Sequence, residues 1–528
     1  MTIQLVEVTT ANLTYLCLGG FIVAFTTVAL LVREKAWQLY LGECVLATAF
    51  GIAIGPSGGN IFNPRSWGDI NDITLEVMRI VLATGVFSIG VELPKAYMLV
   101  NWKSLVFMIV PTMTFGWFIS AGLIVALFPA LNFRSALVIS ACLTPTDPIL
   151  AMAIIMGKFA VKHVPKHLRL LLAAESAAND GLAYPFLTLP LYLTLEATTG
   201  SAVGKWLLVG CLYQVILGTV IGAVAGSAFR YLLRFNQNRG FIDHESFVAQ
   251  YLALAVFVVG FCNIIGSDDL LAAFAAGTAI SWDGDFNAQT ENAVFASILD
   301  LIINCAAFIY IGAWIPFDKF TAADLGIAPW RLIVLAIALI IARRIPALLL
   351  LQRFVPDLRN WREALFSGHF GPMGVGAVYI STLALTKLPK ASDPPASQAE
   401  QLSATIQPIV AFIVLCSIIV HGLSIPFFNL GRHVRTMSHT SPWTSRSNTI
   451  EGPEWLHATR RFNRDVDIEV QGAIGTPNDT QSVSSTTPTP VNGKSAEEIG
   501  AVQNGVPSGE NVEMNAAEGQ GPKVKFAE

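Results

Sequence analysis

Four polar residues stand inside the apolar run LRLLLAAESAANDGLAYPFLTLPLYL: Glu175, Ser176, Asn179 and Asp180. On a helix Ser176 and Asp180 are i, i+4 neighbours, and so are Glu175 and Asn179 on the adjacent strip. One face thus offers a hydroxyl and a carboxylate to a ligand, while the other can serve structure. Interhelical hydrogen bonds account for Ser176 and Asn179, but hardly for two acids. A second stretch, LTPTDPIL from Leu143 to Leu150, sets Thr146 and Asp147 among prolines in another apolar run. Pro145 and Pro148 each lack an N–H, and each ring crowds the carbonyl four residues back, at Ala141 and Thr144. The residues before them, Thr144 and Asp147, are pushed away from helical angles. The helix is expected to open near its midpoint and free carbonyls. Such backbone is tolerated at membrane depth only where it lines a protein-buried or watery cavity. An aspartate at the centre costs about 2.5–3.5 kcal/mol on insertion scales, so it should face that cavity too. One proline would be a kink; two beside Thr146 and Asp147 point to an ion or substrate site.

A buried acid needs a partner. The cations read as lying near the middle of an apolar run are Arg343 and Arg344, in LAIALIIARRIPALLL, and Arg343 is expected to pair with Glu175. Asp180 is then left unpaired. Desolvation disfavours the charged form of a carboxylate, so near neutral pH such a group can hold either a proton or a small cation. Mutually exclusive occupancy of one carboxylate is sufficient chemistry for antiport, with alternating access carrying the loaded site between two faces.

The elements that position these groups read as membrane spans. Of 528 residues, 53% are hydrophobic and only 13% charged, where a soluble domain carries about 25% charged residues. Mean hydropathy is +0.56. Repeated apolar runs of roughly 20 residues indicate a polytopic membrane protein rather than several soluble domains. Thirteen runs lie near 11–32, 38–55, 74–91, 104–127, 135–157, 168–194, 204–229, 246–265, 269–281, 293–315, 331–352, 364–386 and 404–429. The ninth is short. The net charge of -4 identifies no partner, because the placement of charge matters here and not its sum. The seven cysteines fall inside apolar runs without paired spacing, against a disulfide framework or a zinc site. No basic segment precedes the first run, which reads as a retained span and not a cleaved signal peptide.

With the N-terminus outside, the inside connections hold sixteen lysines and arginines and the outside ones seven. That obeys the positive-inside bias and puts the C-terminus in the cytoplasm. The twelfth run, ALFSGHFGPMGVGAVYISTLAL, is interrupted by Gly368, Gly371, Pro372, Gly374 and Gly376. It is the fifth of the last six, as LTPTDPIL lies on the fifth of the first six. Interrupted spans at corresponding positions point to an inverted-repeat transporter with a midplane site. The repeats cover about 11–194 and 246–429, joined by span seven, inside a transmembrane domain 1–431. After about Arg432 the chain turns polar and rich in Ser, Thr, Pro and Gly, so 432–528 reads as a mostly disordered cytoplasmic tail.

Other polar residues have two readings each. Glu92 in FSIGVELPKAY falls at a cytoplasmic helix end, where a solvated charge is the equal alternative. Asp268 and Asp269 fall at the outer start of span nine, attracting cations at an entrance or merely favouring a helix N-terminus. His369 sits by the glycine-rich break as a candidate pH sensor, though a lone histidine at a helix end is more often just hydrogen-bonded.

LTPTDPIL followed by AAESAANDGLAYPF resembles the ion-site core of the monovalent cation:proton antiporters. The likeness is to the branch with an Asn-Asp pair, which includes NhaP-type and eukaryotic Na+/H+ exchangers. It extends through ARRIPALL and SGHFGPMGVGAVY, and is most similar to fungal plasma-membrane Na+/H+ antiporters. The resemblance implies an all-α NhaA-like fold of about 13 transmembrane helices in two inverted six-helix repeats with broken crossing helices. It implies Asp180 as the ion and proton carboxylate, holding Na+ or Li+ transiently. Thr146, Asp147 and Ser176 complete the coordination shell, Glu175 with Arg343 forms a structural ion pair, and Asn179 supports them. Asn179 stands where the electrogenic branch has a second aspartate, which implies electroneutral one-for-one exchange. Asp268, Asp269 and His369 are implied in gating or pH modulation, and Glu92 is a candidate for the same role from its position in the sequence. Also implied are a homodimer in membrane lipid, no cofactor, no enzymatic activity and no nucleic-acid partner, with salt tolerance and pH homeostasis as the purpose. The tail departs from the pattern: it is short beside those of some fungal relatives, so regulators that bind it are not carried over. A K+/H+ antiporter of the same fold is the alternative. An intramembrane aspartyl protease would show YD and GxGD where this chain has TDP and NDG, and a cation channel needs no titratable carboxylate.

Overall fold

The structure, a computed structural model, describes residues 8–30, 42–155, 158–241, 244–284, 286 and 294–437. The chain divides into two units, Met1–Ala473 and Ile474–Glu528, and every described residue lies in the first. Among the described residues there is no strand. That is the expected outcome for apolar runs without alternation, because a helix satisfies its own amides where no water can. The helices used below are α1 (Thr10–Leu30), α2 (Glu43–Ile54), α3 (Ile70–Glu92), α4 (Trp102–Leu127), α5 (Phe133–Leu143), α6 (Pro148–Ile155) and α7 (Lys166–Leu195). Then come α8 (Thr199–Asn238, π-helical over Trp206–Ile216), α9 (His244–Ile265), α10 (Asp269–Ile280) and α11 (Val294–Trp314). The rest are α12 (Pro329–Ala342), α13 (Ile345–Leu351), α14 (Trp361–His369), α15 (Val375–Leu385) and α16 (Gln398–Met437).

Among the described residues, seven helical stretches are long and apolar enough to cross a membrane, and five shorter apolar helices accompany them. The ninth apolar run is a helix of 12 residues. α7 has 30 residues, and the polar group Glu175 to Asp180 falls in its middle. Polar caps mark several starts. Asp69 accepts from the Asn71 N–H at 3.0 Å before α3, and Asn132 accepts from the Ser135 N–H at 2.9 Å before α5. The last helix runs on to Met437, so the expected tail boundary at 432 falls inside it, and residues 438–528 lie outside the described residues.

Two packing neighbourhoods hold the site. In one, α3, α8 and α10 approach at backbone contact: a Cβ on Gly222 or Gly226 of α8 would collide with the carbonyl of Ala272 or Ala276 on α10. In the other, α4, α5, α7, α15 and α16 surround the two breaks. They meet where α15 lies on α3 and α7 lies on α10. At the second contact, a Cβ on Gly181 would stand 2.6 Å from Leu271 Cβ. The small residues matter because helix association in lipid rests on close van der Waals approach rather than on hydrophobic burial.

Candidate functional site at the crossing of two broken helices

Both expected breaks exist. α5 stops at Leu143 and α6 starts at Pro148; α14 stops at His369 and α15 starts at Val375. The two unwound segments cross, with the Asp147 N–H donating to the Pro372 carbonyl at 2.8 Å. The crossing leaves two helix N-termini side by side, each with unpaired N–H groups and a partial positive charge. Asp147 answers both. One carboxylate oxygen accepts from the Ile149 N–H at 3.0 Å and the other from the Val375 N–H at 2.7 Å. A Cβ at Gly374 would collide with that second oxygen, so only glycine lets the backbone reach the carboxylate. Asp147 therefore belongs first to the scaffold. Asp147→Asn keeps one acceptor for two donors and should cost about 1–3 kcal/mol, read as a lower melting temperature of the purified protein.

The opposite ends of the breaks expose carbonyls, and here the expected ion pair is corrected. Arg343 does not pair with Glu175. Its guanidinium donates to the Leu143 carbonyl, to Thr144 and Pro145 O (both 3.3 Å), and across the crossing to Gly371 O. Glu175 is held instead by Arg344, in a two-pronged contact of 2.6 Å on each oxygen. Arg344 Nε also donates to Ser367 O at 3.0 Å. The physical reason lies in Pro346, whose ring crowds the carbonyl of Ala342 and ends α12 there. Consecutive side chains at a helix end diverge, so one arginine meets the freed carbonyls and the next meets α7. A fixed cation at helix C-termini is the electrostatic counterpart of Asp147 at the N-termini.

Asn179 connects α7 to the first break. Its amide donates to Thr146 Oγ1 at 2.8 Å and to Glu175 Oε1 at 2.9 Å, and its oxygen accepts the Thr146 N–H at 3.0 Å. Ser176 Oγ donates to Ala173 O at 3.2 Å. Asp180 differs from all of these. It is 2% exposed, and neither carboxylate oxygen has a hydrogen-bond partner among the described residues. Gly376 of α15 lies directly against it, since a Cβ there would stand 2.7 Å from Oδ1. A buried carboxylate without a partner is costly, and a bound proton or cation would offset that cost.

The weaker candidates are dispersed. Asp268 caps α10, accepting from the Leu271 N–H at 2.8 Å. Asp269 is engaged by Arg79 of α3, Nε to Oδ2 at 2.8 Å, and by the Tyr379 hydroxyl of α15 at 3.4 Å. Arg79 corrects a second expectation. It lies ten residues into the 23-residue α3, with its side chain 11% exposed, so Arg343 and Arg344 are not alone inside apolar runs. Its being the sole basic residue of run 74–91 was the available signal. Arg79→Gln leaves the buried Asp269 without its cation and should destabilise by about 3 kcal/mol, measured as a loss of melting temperature. Glu92 ends α3 half-buried, one turn after Ser88, which donates to Asp300 at 3.2 Å. His369 closes α14, its Nε2 at 2.9 Å from Ser424 Oγ.

Two broken helices cross, with Asp147 at two of their starts and Arg343 on the carbonyls of both breaks, beside one orphan carboxylate. The chain belongs to the sodium/hydrogen exchanger family, whose transmembrane model matches residues 22–430. It is 45% identical over 443 residues to the probable Na(+)/H(+) antiporter C3A11.09 of Schizosaccharomyces pombe, covering 82% of this chain and 58% of that one. It is 44% identical to a Na(+)/H(+) antiporter of Saccharomyces cerevisiae, covering 84% of this chain and 46% of that one. A further Na(+)/H(+) antiporter of Schizosaccharomyces pombe is 36% identical, with 79% of this chain and 90% of that one covered. The chain thus spans about half the length of the first two. The fold is similar to that of the sodium proton antiporter MjNhaP1 from Methanocaldococcus jannaschii, with TM-score 0.58 at 17% identity, covering 80% of this chain and 100% of that one.

Proposed function

We propose that this chain is a Na+/H+ antiporter that exports Na+ or Li+ in exchange for protons by alternating access. The observation that carries the reading is the orphan carboxylate of Asp180, buried beside two crossed helix breaks whose other charges are all matched. Na+, Li+ and H+ are cargo, and no resident cofactor is invoked. Thr146, Asp147 and Ser176 lie around the crossing as supporting groups, with Asn179 holding Thr146 in place. Glu175 with Arg344 serves as the structural ion pair in place of the expected Glu175 with Arg343.

Charge supports one-for-one exchange. Buried at the breaks and on α7 are two guanidinium groups, Arg343 and Arg344, and three carboxylates, Asp147, Glu175 and Asp180. With Asp180 ionised this group carries one net negative charge, which a single proton or a single monovalent cation removes. Asn179 adds no second acid. The reading extends to thirteen spans in two inverted repeats, the N-terminus outside, a cytoplasmic tail, a homodimer in the plasma membrane, and a role in salt tolerance and pH homeostasis. Asp268, Asp269, Glu92 and His369 are assigned to entrances and modulation.

The test is proton flux from purified protein in liposomes, adding Na+, Li+ or K+ in turn, with and without a clamped membrane potential. Na+- or Li+-driven flux insensitive to potential is the expected result. Flux driven equally by K+ would move the assignment to K+/H+ exchange. No cation-coupled flux from folded protein would refute antiport.

A further inference from the structure

The last span meets the second break along one face. Ser417, His421 and Ser424 recur at i, i+4 and i+7 on α16, which places them on the same side of a helix. Ser417 Oγ accepts the Met373 N–H at 2.7 Å and lies 3.1 Å from Nδ1 of His421. Nε2 of His421 faces the His369 carbonyl at 3.0 Å, and Nδ1 is 2.9 Å from the Ser417 carbonyl. His369 Nε2 in turn is 2.9 Å from Ser424 Oγ, and the two imidazole centroids are 5.3 Å apart. Ser417 is fully buried and His421 is 2% exposed.

Both ring nitrogens of His421 face a carbonyl oxygen, which only accepts: His369 O from Nε2 and Ser417 O from Nδ1. A neutral ring donates to one of them at a time, and the contacts between the break and the last span do not depend on which. His421 meets the break at His369, and Ser417 meets it at the Met373 N–H. Together they tie down both ends of the unwound stretch. Between and beyond these points lie the contacts that shape the cation site. The Pro372 carbonyl takes the Asp147 N–H at 2.8 Å, Gly374 lies against the Asp147 carboxylate, and Gly376 lies against Asp180.

We propose that the Ser417–His421 ladder is a positioning device for the cation site. It holds residues 369–373 against the last span, so that Gly374 and Gly376 stand where the two carboxylates need them. It acts through the backbone of the break and touches no cargo. Loosening it therefore changes cation affinity more than turnover, because the geometry of the empty and loaded site shifts while the path between faces does not. The proposal deepens the antiporter reading and rests on it.

The experiment measures the Na+ dependence of proton flux in liposomes for the full-length chain and for Ser417→Ala and His421→Gln, alongside their melting temperatures. Ser417→Ala should raise KM for Na+ about tenfold, the scale of one buried hydrogen bond, with Vmax within about twofold. His421→Gln keeps one neutral donor and one acceptor and should raise KM less. An unchanged KM in both variants, or a fall in Vmax at constant KM, would overturn the proposal. If Ser417→Ala fails to fold, His421→Gln carries the same criteria, with a raised KM at preserved Vmax as the supporting result. Failure of the underlying reading looks different, because the unaltered protein would then show no Na+-coupled flux at all.

Discussion

Asp180→Asn abolishes cation-coupled proton flux and leaves a folded protein that melts no lower than the original. The two halves of this expectation come from one fact, the absence of a partner for either carboxylate oxygen. Asn179, Thr146, Glu175 and Asp147 all have their polar atoms engaged by neighbours, so none can take over the exchange of a proton for a cation. An amide cannot carry the negative charge that binds Na+, nor the titratable proton that displaces it. A loss of at least about a hundredfold in flux follows from removing one such charge–charge contact, worth roughly 2.7 kcal/mol or more. Stability moves the other way, because the substitution removes an uncompensated buried charge. Flux measured in liposomes with size-exclusion and melting curves checks both. Retained exchange would remove Asp180 from the mechanism; collapse of the fold would make it a structural acid.

Glu175→Gln should have the opposite profile, a large loss of stability before any effect on affinity. The substitution leaves Arg344 buried, its side chain 5% exposed, with neutral acceptors such as the Ser367 carbonyl in place of a carboxylate. Breaking a buried pair from one side costs about 3–5 kcal/mol. A double-mutant cycle makes the assignment sharp. Glu175→Gln combined with Arg344→Gln should be less damaging than the sum of the two, with a coupling of about 1–3 kcal/mol. The same cycle with Arg343→Gln should show little coupling, since Arg343 donates to carbonyls of both breaks and not to Glu175. A coupling on Arg343 instead of Arg344 would restore the pairing expected from sequence.

The breaks were legible in the sequence because their causes are local. Two prolines bracket Thr146 and Asp147 within a few residues, and the glycines of GPMGVG interrupt another apolar run by themselves. Asp180 was legible for a similar reason: an acid in the middle of an apolar run announces its own cost. The role of Asp147 was only half legible. Its presence followed from sequence, but its use as a cap on two helix starts depends on Val375, which lies 228 positions away. Arg79 was passed over because its partner, Asp269, belongs to a different helix and nothing in either segment names the other. His421 was invisible for the same reason, since one histidine between two serines has no meaning until the break packs against it.

The sequence by itself therefore determined that the chain is a set of apolar helices, where two of them must open, and which carboxylate has no local partner. These follow from backbone chemistry and from the cost of polar groups in an apolar medium, and both act within a few residues. Only the tertiary structure decided who pairs with whom. Arg343 and Arg344 are neighbours of the same type and charge, and a turn imposed by Pro346 sends one to the carbonyls of both breaks and the other to Glu175. Which arginine faces which helix depends on how the helix end is oriented in the packed bundle, and no property of the residues themselves distinguishes them.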